Sequence, residues 1–333
     1  MNETQALIDF ISNLGIGSCA HAGRLTLISL LAPKRTPSTG PSPYLLYQQA
    51  HEASLISIEE VGNGGIVGEL QVANRANQHV LLVEGEVLLG MKQTRVLNVT
   101  ILVPAQTVLQ VPVSCVESGR WRAVSEEATG KAAVHLVPSV RAAKTVTVAR
   151  SMRGARTFAS DQHAVWAGVD RVLDGYGADA PSRSYADLAG ADATALTDVA
   201  KSVEPAPGQT GVLVLVDSHV SCVDVFESPQ VLSALWSGLV ASYQAESLAT
   251  RDQKARPAVA RAKAVAWGWF RSIVASSIAV GPEIGLGAHL TVVAPGVEAA
   301  ALVHGGKVVH LSAFPAHAGG SPTRFVRPAR RRS

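Results

Sequence analysis

Cysteine is scarce and scattered in this chain, with three residues at positions 19, 115 and 222. An odd count at such spacing supplies neither a disulfide framework nor a metal knuckle, and a reducing compartment is expected. Charge is scarce as well: Asp, Glu, Lys and Arg make up 17% of the residues, against about a quarter in ordinary soluble proteins. With 47% hydrophobic residues over 333 positions, disorder throughout is excluded. A large buried volume or an oligomer interface is expected instead, which makes a homo-oligomer a candidate state. No uninterrupted apolar run reaches the roughly 20 residues that span a bilayer. The opening MNETQALIDFISNLGIG carries Glu3 and Asp9 and no basic segment ahead of a long apolar one. No membrane association and no signal peptide are expected, and the cytoplasm is the default location.

The usual cofactor signatures are missing too. There is no HExxH, no paired CxxC and no tight group among the ten histidines, so no metal site is expected. The glycine-rich GNGGIVG at 62–68 lacks the Lys-Ser/Thr of a phosphate loop, and GPEIGLG at 281–287 precedes a strand, the wrong side for a dinucleotide fingerprint. The sequence therefore identifies no cofactor. The formal net charge is +3, but Arg324, Arg327, Arg330, Arg331 and Arg332 lie in the last ten residues and leave the body near −2. Residues 316–333 read as a flexible basic tail. No aromatic platform accompanies it, so specific nucleic-acid binding is not expected.

What is present is a succession of short apolar strands and a few amphipathic helices. The first 122 residues read as mostly antiparallel strands broken by turns such as Asn63-Gly64-Gly65 and by Pro104 and Pro112. Helices are expected over 3–14, 160–177, 192–203, 229–248 and 257–275 from apolar residues at helical spacing, with Ser160 and Ser228-Pro229 as starts. The segment 131–152 fits helix and strand equally. LLVEGEVLLGMKQ (81–93), VLVLVDSHVSCVDVF (212–226) and ALVHGGKVVHLSAF (301–314) each read as strand, tight turn, strand, and 79–90 reads as a hairpin or a bent strand pair around Gly85. KRTPSTGPSP (34–43) reads as a surface loop or a lid. The expected fold class is α+β, hairpin-rich antiparallel sheets of sandwich or barrel-like form with helices packed against them. A single domain over 1–315 is expected, with room for lobes 1–125 and 126–315.

One stretch concentrates functional groups. Within 81–121 lie Glu84, Glu86, Lys92, Gln93, Arg95, Asn98, Cys115, Glu117, Arg120 and Trp121. Placed on a strand, Glu84 and Glu86 would share a face, where two carboxylates need compensation or a shared proton. Lys92 and Arg95 are the nearest candidate cations. Glu84 and Glu86 are thus candidate catalytic carboxylates, and equally candidate members of an ion network holding strands in register. Cys115 is a candidate nucleophile, with His135 or His310 as base by type alone, and equally an inert core thiol. Lys92, Gln93, Arg95, Asn98, Glu117, Arg120, Trp121 and His310 are candidate ligand contacts. Arg suits a phosphate or carboxylate, and an indole beside it suits a base or sugar. Against that stands Trp121 as core filling with Arg120 snorkelling beside it.

The run GEVLLGMKQTRVLNVTILVPA, followed by VPVSCVESGRW, resembles the core of a bacterial family named for its association with ADP-ribosylglycohydrolases and rhodanese-phosphatase proteins. The segment VDVFESPQVLSALWSGLVASYQAE and the closing VVHLSAF fit the same resemblance, which spans about residues 10 to 315. The matched residues are those of the dense stretch, together with Asp224, Phe226, Ser228 and His310. The resemblance implies no settled activity. Through the family's name it implies a role near ADP-ribose or NAD-linked metabolism. Binding of a small polar or phosphorylated, nucleotide-like ligand at 84–121 is the first expectation. A hydrolase using Glu84, Glu86 or Cys115 is the second, and an oligomeric scaffold without a catalytic site the third.

Overall fold

Asn2 caps the first helix, α1 (Glu3–Ser12), by accepting the Thr4 N–H on its side chain. Strands β1 (Gly15–Ala22) and β2 (Leu25–Leu31) follow, then β3 (Tyr44–Leu46), the short helix α2 (Tyr47–Glu52), β4 (Ile56–Glu60) and β5 (Glu69–Asn74). The dense stretch holds β6 (His79–Leu82), β7 (Val87–Gly90), β8 (Arg95–Leu97), β9 (Ile101–Val103) and β10 (Thr107–Cys115), and β11 (Ala128–Lys131) comes after it. Three helices come next: α3 (Pro138–Gly154), α4 (Gln162–Tyr176) and α5 (Tyr185–Ser202). The chain continues through β12 (Gly211–Val216), β13 (His219–Phe226), α6 (Pro229–Ala249) and α7 (Val259–Val274). It closes with β14 (Ile278–Val280), β15 (Ala288–Ala294), β16 (Val297–His304) and β17 (Lys307–Pro315). This computed structural model describes residues 2–33, 42–62, 64–132, 134–178, 180–217, 219–250 and 259–316. Most of the 34–43 loop and the basic tail from 317 lie outside the described residues.

The protein is α+β with mostly antiparallel sheets. Eight strands form one sheet in the order β1-β2-β12-β13-β17-β16-β15-β14. Six more, β11-β7-β8-β10-β5-β4, curl nearly into a barrel, whose ends meet through the bridge between Glu59 and Glu127. A small sheet, β3-β6-β9, includes the parallel pair β3–β6.

The large sheet is covered on both faces, which is why β12 reads VLVLV rather than alternating with polar residues. Leu213, Leu215, Val223, Val225 and Leu311 face the layer of α1 and α7. Val212, Val214, Cys222, Phe226 and Phe314 face α6. Period-two alternation puts Asp224, His310 and Ser312 on this second face, among apolar neighbours. The barrel holds its own core, including Ile58, Val72, Leu88, Leu97 and Val113, to which α3 contributes Val148 and Met152.

Several expectations need correction. Of the two readings of 79–90, β6 and β7 are the bent strand pair around Gly85 and not the hairpin. The chain bends at Glu84-Gly85 and passes from the small sheet to the barrel, so β6 pairs with β3 and β9 while β7 pairs with β8 and β11. The other two strand-turn-strand repeats are antiparallel hairpins, β12–β13 and β16–β17. Segment 94–115 holds three strands, with β9 ending just before Pro104. The ambiguous segment 131–152 is mainly α3, opened by Pro138 in its first turn. Helix α5 starts at Tyr185 rather than 192, because the Ser184 side chain caps it on the Ala186 N–H. Strand β1 and helix α2 were not expected at all.

Candidate functional site

The dense stretch does not converge on one cleft. It divides between a buried ion core around Glu84 and a corner around Trp121. Glu84 and Glu86 do not share a strand face. Between them Gly85 adopts φ +88°, a conformation that side chains resist, and a Cβ there would lie 2.9 Å from both Arg141 Nε and His135 Cδ2. From this turn Glu86 points away. Its Oε2 accepts the Val83 N–H at 2.9 Å and its Oε1 pairs with Lys131 at 3.2 Å.

Glu84 points at helix α3. Its Oε2 accepts from Arg141 Nε at 2.9 Å and its Oε1 from Lys144 Nζ at 2.6 Å. Arg141 then grips Asp224 of β13 with two further bonds, at 3.0 and 2.7 Å. The Tyr243 hydroxyl donates to Asp224 Oδ2 at 2.7 Å, and Lys144 also donates to the Leu97 and Asn98 carbonyls. Two carboxylates thus meet two cations, all four buried. The compensating cations are Arg141 and Lys144, not Lys92 and Arg95. Burial alone would raise the Glu84 pKa. Arg141 and Lys144 more than reverse that and hold it at about 2. The same guanidinium keeps Asp224 well below the ordinary carboxylate range against burial. His135 donates Nε2–H to the Glu84 carbonyl at 3.0 Å, since a carbonyl can only accept. Burial, then Arg141, pull its pKa to about 3 and keep it neutral.

Beside this network is a cavity of about 20 Å³. That is room for about one water. Glu84, Asn98, Thr100, Thr291, His310 and Ser312 give it polar walls, with Val99, Val148, Met152 and Leu290 as apolar ones. His310 stacks on Phe226 across the β13–β17 pairing, with ring centres 4.6 Å apart. Its Nδ1 lies 2.7 Å from Thr100 Oγ1 and its Nε2 lies 3.6 Å from Asp224 Oδ1. Thr291 Oγ1 and His310 Nε2 are buried without a hydrogen-bond partner. Asn98 donates to the Phe158 carbonyl at 2.9 Å and accepts from Ser114, which ties the loop after α3 to the cavity.

The corner gathers the other candidates. Arg95 is fully buried. Its Nη1 donates to Gln93 Oε1 at 2.8 Å and to Cys115 Sγ at 2.5 Å, and its Nη2 lies 3.3 Å from Glu60. Its Nε has no partner. Lys92 reaches the Gly64 carbonyl, and both Lys92 and Arg95 lie over the Trp121 ring, 5.8 and 5.3 Å from its centre. Trp121 is 47% exposed, so it is not core filling. Glu117 receives Arg120 on both oxygens, at 2.8 and 2.6 Å, and the Thr94 N–H and hydroxyl as well. Burial raises its pKa, but these donors bring it below the usual value. Cys115 is buried. Burial pushes its thiol up to about 11 although Arg95 opposes this. The histidines considered as its base are elsewhere, His135 and His310 both in the ion core.

Asp224 was matched by resemblance only, His310 by resemblance and by residue type, and Arg141, Lys144, Thr100, Thr291, Tyr243 and Glu60 carry no such signal in the sequence. One signal for α3 was present. Arg141, Lys144, Thr145, Val148 and Met152 recur at helical spacing, but two of the five are cations and spoil an apolar stripe. Among the described residues no group of three or more His, Cys, Asp or Glu is placed to hold a metal. No helix among them is long and apolar enough to cross a membrane.

Fold and sites together define an α+β protein of antiparallel sheets, with a charge-balanced ion core between its large sheet and α3 and a cationic tryptophan corner on its barrel. The family model described as ARG and Rhodanese-Phosphatase-superfamily-associated Protein domain matches residues 13–314. The chain belongs to that family. No curated protein and no solved structure matches it.

Proposed function

We propose that this protein binds a small phosphorylated, nucleotide-like ligand at the Trp121 corner. The observation that carries the reading is the half-exposed indole with Lys92 and Arg95 over its ring. An exposed indole stacks a base or a sugar face, and the Lys92 ammonium beside it suits a phosphate, while the buried Arg95 holds the ring in place. Arg120 and the exposed Arg122 add positive charge at the rim. ADP-ribose and NAD are the first ligands to test, because the family's name ties it to ADP-ribosylglycohydrolases. We place the activity in the bacterial cytoplasm, where three unpaired thiols are at home.

Titration calorimetry with ADP-ribose, NAD and pyrophosphate tests the reading. Heat and a thermal shift are expected with the wild type, and at least a tenfold loss of affinity in Trp121→Ala, about 1.4 kcal/mol. Absence of both signals at millimolar ligand would overturn it.

Hydrolysis is the second reading, and one observation favours it. Arg95 Nη1 touches Cys115 Sγ, the arrangement that stabilises a thiolate. Burial works against it. Glu84 and Glu86 are both engaged with cations.

A further inference from the structure

The cavity beside the ion core brings together two groups that the ion network leaves without a partner. We infer that it is a binding site for one neutral molecule of water size, water itself, held by Thr291, His310 and Glu84. The site is separate from the Trp121 corner and does not rest on ligand binding there.

Strand register makes the space. Thr291 of β15 pairs with Ala300 of β16, and Ala300 pairs with Ser312 of β17. His310 stands two residues from Ser312, so its side chain leaves the same face of the sheet. Ala300 puts only a methyl between Thr291 and the β17 residues, and the cavity is the gap that remains beneath Val99, Val148 and Met152. Thr291 and His310 line it at 3% and 2% exposure, and Thr291 Oγ1 and His310 Nε2 are both buried without a partner. Two such atoms on one small space point to a shared partner, because a buried polar atom left alone forfeits the hydration it had in the unfolded chain. Glu84 supplies a third contact. It accepts from Lys144 and Arg141, and a carboxylate with about four lone-pair sites takes a further donor. Thr100 Oγ1 is already engaged by the Glu84 N–H and His310 Nδ1, and the Asn98 side chain by the Phe158 carbonyl and Ser114.

Size and charge select the occupant. A space of about 20 Å³ takes one water and no larger solute. Glu84 and Asp224 are already matched by Arg141 and Lys144, so an ion of either sign would stand uncompensated beside Val99, Val148 and Leu290. A neutral molecule that both donates and accepts meets all three groups. It satisfies His310 Nε2 whichever ring nitrogen carries the proton, and the Thr291 hydroxyl rotates to take the complementary role. The bound water bridges β15 and β17 across Ala300 and ties both to the Glu84-Gly85 bend between β6 and β7. It thus joins the large sheet to the point where the chain passes from the small sheet to the barrel.

The test is a high-resolution crystal structure of the full chain, read together with the thermal stability of Thr291→Val. One density peak is expected within about 2.6–3.2 Å of both Thr291 Oγ1 and His310 Nε2. An empty cavity, or a peak that touches only one of the two atoms, overturns the proposal. Thr291→Val keeps the side-chain shape and removes the hydroxyl. With water bound, it takes away one of the anchors, and the melting temperature should fall by about 2–4 °C. In a dry cavity the same change removes an unsatisfied hydroxyl, and a melting temperature that is unchanged or raised overturns the proposal. Thr291→Ser retains the hydroxyl and should retain the density peak. Should Thr291→Val fail to fold by circular dichroism, the wild-type density decides alone.

Discussion

The ion core and the tryptophan corner each draw on the stretch 81–121 and use the same residue types, yet they differ in what surrounds them. Around Glu84 and Asp224 every charge is buried and matched, two carboxylates to two cations. At the corner the charges surround a half-exposed indole, and several bonds go to loop carbonyls. The difference shows that charged clusters in one stretch can have opposite energetics. In the buried one, loss of a partner strands an ion in a medium that cannot solvate it. In the exposed one, water replaces what is lost. The core is therefore a place where substitution unfolds the protein, and the corner a place where it changes binding.

The largest effect expected is from Arg141→Met, which leaves Glu84 and Asp224 facing each other without a guanidinium. A loss of about 3–5 kcal/mol is expected, read as a drop in urea midpoint. A loss below about 1 kcal/mol would break the contrast, because it is the size expected of an exposed pair.

Next is the response to pH, which should separate the two regions. His135 and His289 have folded pKa values of about 3 and about 4, below the usual 6.5, chiefly through burial. As pH falls below 6.5 the unfolded chain takes up protons that these imidazoles refuse, so stability declines down to about pH 3. Glu84 acts in the same direction, between its ordinary 4.5 and about 2, and its share is about 3 kcal/mol. Cys115 acts at the other end. Its folded pKa of about 11 lies above the usual 9.0, so its contribution holds below pH 9 and is lost as pH rises through 11. Cys115→Ala should flatten the alkaline limb of a stability–pH curve and leave the acid limb unchanged. An acid limb that moves with Cys115→Ala would mean the regions are coupled.

Trp121→Ala sharpens the contrast from the corner. Ligand binding should be lost with a stability change of about 1 kcal/mol or less, as for a half-exposed residue outside the core. A large drop in melting temperature would instead make the indole a structural cover for Arg95. Arg120→Ala should cost about 1 kcal/mol, because the Thr94 N–H and hydroxyl still hold the buried Glu117 carboxylate, measured by denaturant titration.

Much of the architecture was legible in the residues. The α+β class, the helices at α1, α4, α6 and α7, and the hairpins β12–β13 and β16–β17 follow from apolar spacing and turn residues, which act over a few positions. The polar groups of the dense stretch are legible as a list, but the structure divides them between two places. The Glu84–Glu86 pairing was misread because strand parity was assumed across a glycine whose positive φ breaks it. Helix α3 was ambiguous because its buried face carries Arg141 and Lys144, so burial and apolarity do not coincide there.

Local sequence by itself determined most of the strands, most helices and the list of ionisable groups. Tertiary structure alone decided the partners. Glu84 meets Arg141 and Lys144 across 57 and 60 positions, Arg141 meets Asp224 across 83, and Thr100 meets His310 across 210. Whether a carboxylate is a free base or half of a salt bridge depends on what lies within a few ångströms and on how much water reaches it. Spacing along the chain carries neither quantity. Sheet pairing and helix packing set both.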